Sequence, residues 1–115
     1  MHTLAEVIVP LAVRSNFTYR LSPEQALNAA VGKRVLVPFG KSKIYTGIIR
    51  SLKQAAPAKL DHRLKAVAEI LDETPILTLA HLELMEWIAF YYACSPGEVL
   101  KAALPVGLKP ESALR

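Results

Sequence analysis

The triplet Gly40-Lys41-Ser42 suggests chemistry more directly than any other part of this 115-residue chain, because the same letters end a nucleotide-binding P-loop. That motif, G-x-x-x-x-G-K-[ST], also needs a glycine five positions earlier and a helix that begins at the loop. Position 35 is valine, and residues 43–49, KIYTGII, are β-branched and predict a strand. We therefore exclude a phosphate cradle of this type.

Catalytic side chains form no recognisable motif in the sequence, which has neither G-x-S-x-G nor H-E-x-x-H. Glu83 and Glu86 lie three residues apart on a predicted helix. We interpret them as solvated helix charges, because nothing basic or metal-like converges on them. The single cysteine, Cys94, and three scattered histidines do not complete a zinc site. The sequence predicts no enzyme activity and no metal or cofactor.

Charge is distributed unevenly between the two halves of the chain. Residues 1–65 hold 11 Lys/Arg and 3 Asp/Glu, whereas residues 66–115 hold 3 Lys/Arg and 7 Asp/Glu. The first half is therefore +8 and the second −4, in agreement with the net charge of +4. Clustered Lys/Arg gain affinity for a phosphate backbone by releasing its counterions. The N-terminal half favours a polyanionic partner.

Aromatic residues are interleaved with these cations. Phe17, Tyr19, Phe39 and Tyr45 lie among basic residues that flank the strand at 16–21 and the hairpin at 33–50. Bases stack on aromatic rings while cations follow the phosphates, so this pattern is typical of nucleic-acid binding. Strand alternation predicts that at least half of these four rings are buried. The basic residues that we expect to contact a DNA backbone are Arg20, Lys33, Arg34, Lys41 and Lys43.

The length predicts one domain, and the composition is 52% apolar with a mean hydropathy of +0.27. The first residues, MHTLAEVIVPLAV, lack the basic region of a signal peptide, and no apolar run approaches the roughly 20 residues of a membrane span. We therefore expect a soluble protein of a reducing compartment, the cytoplasm, with no membrane partner.

The first half reads as strands separated by turn residues, and five short strands are predicted. These are 5–10, 16–21, 33–39, 43–52 and 64–72, with helix as a competitor for the last. Ser22-Pro23-x-Gln25 has the pattern of a capping box and predicts the start of a short helical turn. This turn is expected to end before Gly32. Gly47 inside a strand indicates a bulge, a barrel bend or a close backbone approach.

The second half predicts two helices. Residues 77–93 begin at a Thr78 N-cap and are apolar on most faces, as expected for a helix that is buried on several sides or packs on a further domain. Residues 95–104 begin with a capping box of Ser95 and Glu98 and end before Pro105. The expected fold is α+β: a small curled antiparallel sheet or barrel of about five strands, followed by two C-terminal helices.

Several motifs occur in an order that is similar to a known family. They are NFTYRL (16–21), RVLVPFGK (34–41), YTGII (45–49), LKAVAEILD (64–72) and WIAFYY-x-x-SPGEVL-x-x-ALP (87–105). Together they resemble the N-terminal 3′ DNA-binding domain of the PriA family, the bacterial primosomal helicases (primosomal protein N′) that restart stalled replication forks. The resemblance covers about residues 5–107, and the segments R-V-x-V-P-F-G and Y-Y-x-x-x-x-G-E-V-L are its most specific parts.

The resemblance implies a domain at 1–107, strand-rich over 1–72 and helical over 77–104. Residues 108–115 are then a tail or the start of a linker to helicase lobes. It also implies recognition of the 3′-hydroxyl end of the nascent leading strand at a stalled fork. The family pocket uses an F-D-Y segment, the glycine of V-P-F-G and the lysine of L-K-A-V. The matching residues here are Phe17, Thr18, Tyr19, Gly40 and Lys65.

Thr18 departs from the family, which usually has aspartate at this position. A threonine hydroxyl can still donate or accept one hydrogen bond, but without charge-assisted strength, so we expect weaker end discrimination and retained binding. The resemblance further implies that ATP and zinc belong only to the helicase region, outside this chain. The implied partners are a single-stranded DNA end or forked DNA, the helicase lobes and other primosome proteins. The implied location is the nucleoid of a bacterial cytoplasm.

Two other functions are compatible with the same residues. One is a docking domain for a protein partner or for the helicase lobes, with only non-specific nucleic-acid contact. The other is a small RNA-binding barrel, because rings and cations would look the same and only the 2′-hydroxyl differs.

Overall fold

A computed structural model describes residues 2–11, 16–40, 43–55 and 64–103 of the chain. The predicted α+β class is confirmed: a five-stranded antiparallel sheet is followed by C-terminal helices. The sheet is not closed into a barrel, and its strand order is β2-β1-β4-β3-β5. In chain order the elements are β1 (His2–Ile8), β2 (Phe17–Arg20), α1 (Pro23–Asn28), β3 (Arg34–Phe39), β4 (Lys43–Ala55), β5 (Glu69–Ile70), α2 (Leu79–Tyr91) and α3 (Pro96–Ala103). The predicted tail at 108–115 lies outside the described residues.

The sheet is curled around an inner core. Alternate residues of the strands point to this concave side, which buries a cluster made of Ala5, Val7, Val9, Tyr19, Leu21, Val35, Val37, Ile49 and Val67. One isolated parallel bridge, between Arg20 and Ala66, joins the two outer edges of the curl. The sheet thus approaches a barrel at this single point and stays open beyond it.

Gly47 marks a close backbone approach, one of the three alternatives that its position allows. A Cβ atom there would lie 2.6 Å from Cγ1 of Val7 and 2.7 Å from the carbonyl oxygen of Ile8. The ladder between β1 and β4 also shifts register between Glu6 and Val7, which is the bulge expected where a strand bends sharply. Glycine and the bulge together allow β1 and β4 to curl.

The last predicted strand, 64–72, is extended, but its regular part is only β5. Its backbone bonds alternate between two neighbours: the Val67 amide donates to Arg20, and the amides of Ala68 and Leu71 donate to β3 carbonyls. A segment that divides its hydrogen bonds between two sheet edges cannot form a long ladder with either. Strand β1, in contrast, begins three residues earlier than predicted.

The helices begin where their capping residues predicted. Ser22, Thr78 and Ser95 each accept a hydrogen bond from the backbone amide three residues later. At α1 the Gln25 side chain completes the box, and at α3 Glu98 does so. At α2 the third helical position is His81, whose Nδ1 accepts from the Thr78 amide at 3.1 Å.

Helices α2 and α3 pack on the convex face of the sheet. Their contact residues, Leu82, Met85 and Leu100, form a second buried cluster with Ile8 and Ile48. Within the described residues helix α2 is buried on this side only, so of the two alternatives burial on several sides does not hold, and packing on a further domain stays a prediction. Its other side exposes large apolar residues: Leu79, Leu84, Trp87, Phe90 and Tyr91, the first two half-exposed and Phe90 86% exposed. None of the described helices is long and apolar enough to span a membrane.

Among the described residues, two ion pairs connect distant parts of the chain. The Arg50 guanidinium makes a two-pronged contact with Glu86, at 2.7 and 3.0 Å, and so ties β4 to α2. Glu86 is therefore not the freely solvated charge that the sequence suggested. Arg34 makes a similar contact with Asp72, at 2.8 Å from Nη2 to Oδ1, and its backbone amide donates to the same carboxylate.

Asp72→Asn is expected to lower the free energy of unfolding near neutral pH by about 2 kcal/mol, the range for a charge-assisted hydrogen bond. Burial opposes ionisation of Asp72, but the hydrogen bonds and charge of Arg34, with the charge of Lys33, outweigh it and lower the pKa below 3.8. This stabilisation is present above pH ~4 and is lost as the pH falls through the lowered pKa. Urea unfolding at several pH values should show wild type and variant converging in acid. Glu69→Gln, at an exposed carboxylate of β5, is the control. If the free energies of unfolding of Asp72→Asn and wild type differ by the same amount at every pH, the charge of Asp72 is not the source of the stabilisation.

Candidate nucleic-acid interface

A cavity opens at the rim of the curled sheet, where its two edges fail to meet. Its volume is about 230 Å³, smaller than the roughly 300 Å³ and more of a pocket for a drug-sized ligand. It is lined by Phe17, Thr18, Tyr19, Pro38, Phe39, Gly40, Leu64 and Lys65. Such a space suits one small planar group with a short polar attachment.

Strand β2 supplies one wall through its alternation. Phe17 and Tyr19 point to the concave side, and Tyr19 is only 4% exposed. The Tyr19 hydroxyl donates a hydrogen bond to the carbonyl oxygen of Pro38 at 2.9 Å, and burial raises the pKa of this phenol above 10.0. This neutral hydrogen bond connects the β2 wall to the β3 wall and holds the cavity at a set width.

The backbone of Thr18 faces the cavity as an unpaired edge. The Arg20 amide donates to the Lys65 carbonyl, and the Val67 amide donates to the Arg20 carbonyl, each at 2.9 Å. Both polar groups of Arg20 therefore point away from β1, and those of Thr18, two residues earlier, point the same way. Within the described residues neither these groups nor the Thr18 hydroxyl has a hydrogen-bond partner. Thr18 thus offers one donor and one acceptor from its backbone, in addition to its hydroxyl.

The opposite wall is the end of β3, and Gly40 makes it accessible. Gly40 has a φ of +73°, and a Cβ atom placed there would meet nothing within 4 Å. The Lys65 ammonium donates to the Gly40 carbonyl oxygen at 2.6 Å and is otherwise exposed. A lysine has three donors, so two remain for a ligand. Lys65 is the only charged side chain among the described residues that line the cavity.

A row of three aromatic rings runs from the cavity toward the β3–β4 hairpin. Phe17 and Phe39 meet edge to face with ring centroids 5.0 Å apart, and Phe39 meets Tyr45 in the same way at 5.9 Å. Phe17 and Phe39 line the cavity, whereas Tyr45 lies beyond its rim. All three rings are half-buried, so they have both a supporting side and an accessible one.

The residues predicted to bind a 3′ end therefore come together in space: Phe17, Thr18, Tyr19, Gly40 and Lys65 all line this cavity. The residues expected to bind the 3′ end did not include Pro38, Phe39 and Leu64, which also line the cavity. Phe39 carried a signal, since it stands among cations and inside the V-P-F-G motif. Leu64 carried none, because its place depends on the Arg20 side chain, whose Nε donates to its carbonyl at 2.9 Å.

The five basic residues that were expected to contact a DNA backbone fall into three groups: those with an accessible side chain, one outside the described residues, and those that are buried or paired. Lys43 is exposed at the start of β4, and Arg20 is half-buried beside the cavity, whereas Lys41 lies outside the described residues. Lys33 is only 7% exposed and donates to the Asn28 carbonyl oxygen at 2.5 Å. Burial leaves Lys33 inaccessible to a phosphate, and Arg34 is engaged with Asp72. The burial of Lys33 and the ion pair of Arg34 disfavour the phosphate contacts expected of these two residues, which stay predictions.

Comparison with known proteins gives a consistent result. Residues 6–105 match the family model of the PriA 3′ DNA-binding domain. The chain is 30% identical over 103 residues to the replication restart protein PriA of Treponema pallidum, covering 87% of this chain and 16% of that protein. It is 38% identical over 86 residues to PriA of Haemophilus influenzae, covering 74% and 12%, and 32% identical over 108 residues to PriA of Bacillus subtilis, covering 91% and 13%.

The chain spans less than a fifth of the length of these relatives. The matched part is the binding domain and not the catalytic helicase region. The resemblance found in the sequence motifs is thereby confirmed. The chain belongs to the family of PriA 3′ DNA-binding domains.

Proposed function

We propose that the cavity holds the 3′-terminal nucleotide of a DNA strand, and that the physiological ligand is the 3′-hydroxyl end of the nascent leading strand at a stalled replication fork. The observation that carries this proposal is the gap in the curled sheet. It combines aromatic walls, an unpaired strand edge at Thr18 and a single cation, Lys65.

The shape of the gap favours a terminal nucleotide over an internal one. On one side the Arg20 bridge joins the two edges of the sheet, so a strand cannot continue past the cavity in that direction. A nucleotide that enters must leave by the side on which it entered. An internal nucleotide has a neighbour at each end and would need two exits, whereas a chain end needs one.

The chemistry of the walls matches the parts of a nucleotide. Phe17 and Phe39 offer apolar ring surface to a base or sugar. The free protons of Lys65 suit a phosphate oxygen or the terminal hydroxyl, and Gly40 permits close approach of its backbone. Thr18 adds polar groups that complement a base edge or a hydroxyl without a negative charge. We therefore expect only modest discrimination between a hydroxyl and a phosphate at the 3′ end.

The proposed role of the module in the cell is to place a helicase at the fork. The relatives are named replication restart proteins and are more than five times as long as the part that matches. A domain that binds a leading-strand end and is fused to a helicase would hold that helicase at forks that need to be restarted.

Linear and circular single-stranded DNA of one sequence provide the test. We expect the linear strand with a 3′-hydroxyl to bind at least about tenfold more tightly than the circle, because stacking and polar contacts in the cavity need a free end. A 3′-phosphate strand should lie between them and closer to the hydroxyl. Fluorescence anisotropy at fixed salt measures all three. Equal affinity of the linear strand and the circle would overturn end recognition.

The exposed side of α2 favours a second candidate function, docking on a protein surface. Trp87 and Tyr91 are stacked with centroids 5.4 Å apart and are 59% and 67% exposed, which is unusual for large apolar residues. In this alternative the helicase lobes or another primosome protein cover α2, and DNA contact is non-specific. A DNA-binding constant that does not depend on salt concentration would favour this alternative over phosphate contact.

A further inference from the structure

We propose that Tyr45 and Lys43 form a second subsite, which holds the nucleotide on the 5′ side of the one in the cavity. This inference rests on the proposed function, because it takes the cavity as the site of the terminal nucleotide. The ligand class is the penultimate nucleotide of single-stranded DNA: its base stacks on Tyr45, and its phosphate contacts Lys43.

The strand register places both residues beside the cavity. Tyr45 pairs with Val37, and Lys43 pairs with Phe39, in the ladder between β3 and β4. Paired residues of an antiparallel ladder lie on the same face, and Val37 belongs to the inner core. Lys43 and Tyr45 are therefore on the concave face with Phe39, at the end of the hairpin that forms the cavity rim.

The path by which a bound DNA strand leaves the cavity follows from which end of the cavity is open. The Arg20 bridge closes one end of the gap, and the row of rings continues from Phe39 to Tyr45 at the other. Tyr45 contacts Phe39 through an edge-to-face arrangement with an interplanar angle of 76°, so the two rings are not stacked on each other. A base that leaves the cavity therefore meets the half-exposed Tyr45 next.

Lys43 supplies the charge that this subsite needs. Its side chain is exposed, and no ion pair or hydrogen bond within the described part of the chain engages it. This distinguishes it from Arg34 and Arg50, whose guanidinium groups are held by carboxylates. Lys43 lies two residues from Tyr45 on the same face of the strand. From there its ammonium group can contact the phosphate next to a base that stacks on the Tyr45 ring.

A length series of thymidine nucleotides tests the subsite. The probes are the 5′-phosphorylated mono-, di- and trinucleotide, each with a free 3′-hydroxyl, titrated by NMR against the chain. We expect the dinucleotide to bind about tenfold more tightly than the mononucleotide, and the trinucleotide to add much less. Tyr45→Leu keeps apolar volume without a stacking face. In this variant the gain in affinity from the mononucleotide to the dinucleotide should vanish, while the affinity for the mononucleotide stays unchanged.

Two further variants separate the contributions. Tyr45→Phe should keep the gain in affinity from mononucleotide to dinucleotide, since stacking needs the ring and not the hydroxyl. Lys43→Gln should lower the dependence of log affinity on log salt for the dinucleotide by about 0.7, the value for one phosphate contact on a single strand. If this gain in affinity is absent in the wild type, or survives in Tyr45→Leu, the subsite proposal is overturned but the assignment of the cavity is not. Failure of every probe to bind, the mononucleotide included, would overturn the cavity assignment itself.

Discussion

Lys65→Gln is expected to weaken binding of a 3′-hydroxyl oligonucleotide by about 10- to 100-fold, the effect of removing a charge-assisted hydrogen bond from a binding site. Lys65 is the only charged side chain among the described residues that line the cavity, and its ammonium is held against the Gly40 carbonyl at 2.6 Å. Because the lysine is already positioned, little side-chain entropy is lost when a ligand binds. Anisotropy titration of a short oligonucleotide measures the loss.

Lys53→Gln is the matched control for bulk charge. Lys53 is exposed on β4, ten residues along the strand from Lys43, which corresponds to about 30 Å in an extended chain. The two variants change the net charge equally, so long-range attraction to DNA is reduced equally in both. We expect Lys53→Gln to weaken binding less than about threefold. Matched losses in the two variants would show that Lys65 acts as general positive charge and not as part of a site.

Gly32→Ala is expected to cost about 2–5 kcal/mol of folding free energy, the sum of a strained backbone and an overpacked contact. Gly32 has a φ of +95°, a conformation that residues with a Cβ rarely adopt. The added Cβ would also collide with the carbonyl group of Leu77. That carbonyl cannot move freely, because the amides of Ile76 and Leu77 both donate to the carbonyl oxygen of Gly32. The substitution should therefore loosen the segment that leads into α2.

Gly40→Ala separates the two causes, because Gly40 also has a positive φ, +73°, but is surrounded by open space. It should show the conformational cost alone, about 1–2 kcal/mol. Urea unfolding of both variants and the wild type measures the difference. A Gly32→Ala variant that is no less stable than Gly40→Ala would mean that the Leu77 segment moves aside at little cost.

Local signals in the sequence predicted local structure well. The three capping residues and the strands at 33–39 and 43–52 were found from patterns that act over a few residues, such as a hydroxyl followed by a glutamate or glutamine, or β-branched runs. Gly47 was recognised as a special position for the same reason. The prediction was less accurate for 64–72, where the extent of the strand depends on two distant partners and not on the residues themselves.

The candidate site shows the same division. Phe17, Tyr19, Gly40 and Lys65 were identified because they stand in motifs shared with a family, and the structure brings them to one cavity. The surroundings of the basic residues could not be predicted, because a sequence shows charge but not burial. Lys33 is buried near Asp72, and Arg34 is paired with it, 38 residues away in the chain.

The sequence alone determined the α+β class, the helix starts, the basic first half and the family to which the chain belongs. These depend on composition, short-range spacing and motif order, all of which can be read along the chain. Only the tertiary structure decided that the sheet stays open and that the Thr18 backbone faces the opening. It also decided which cations remain available to a ligand. These features arise from contacts between residues 20 and 65, 20 and 66, or 34 and 72, which form only when the sheet curls and its edges approach. Gly40 of the excluded Gly40-Lys41-Ser42 phosphate cradle is an example: it lies opposite Lys65, which donates a hydrogen bond to its carbonyl oxygen, and this position could not be read from the motif around it.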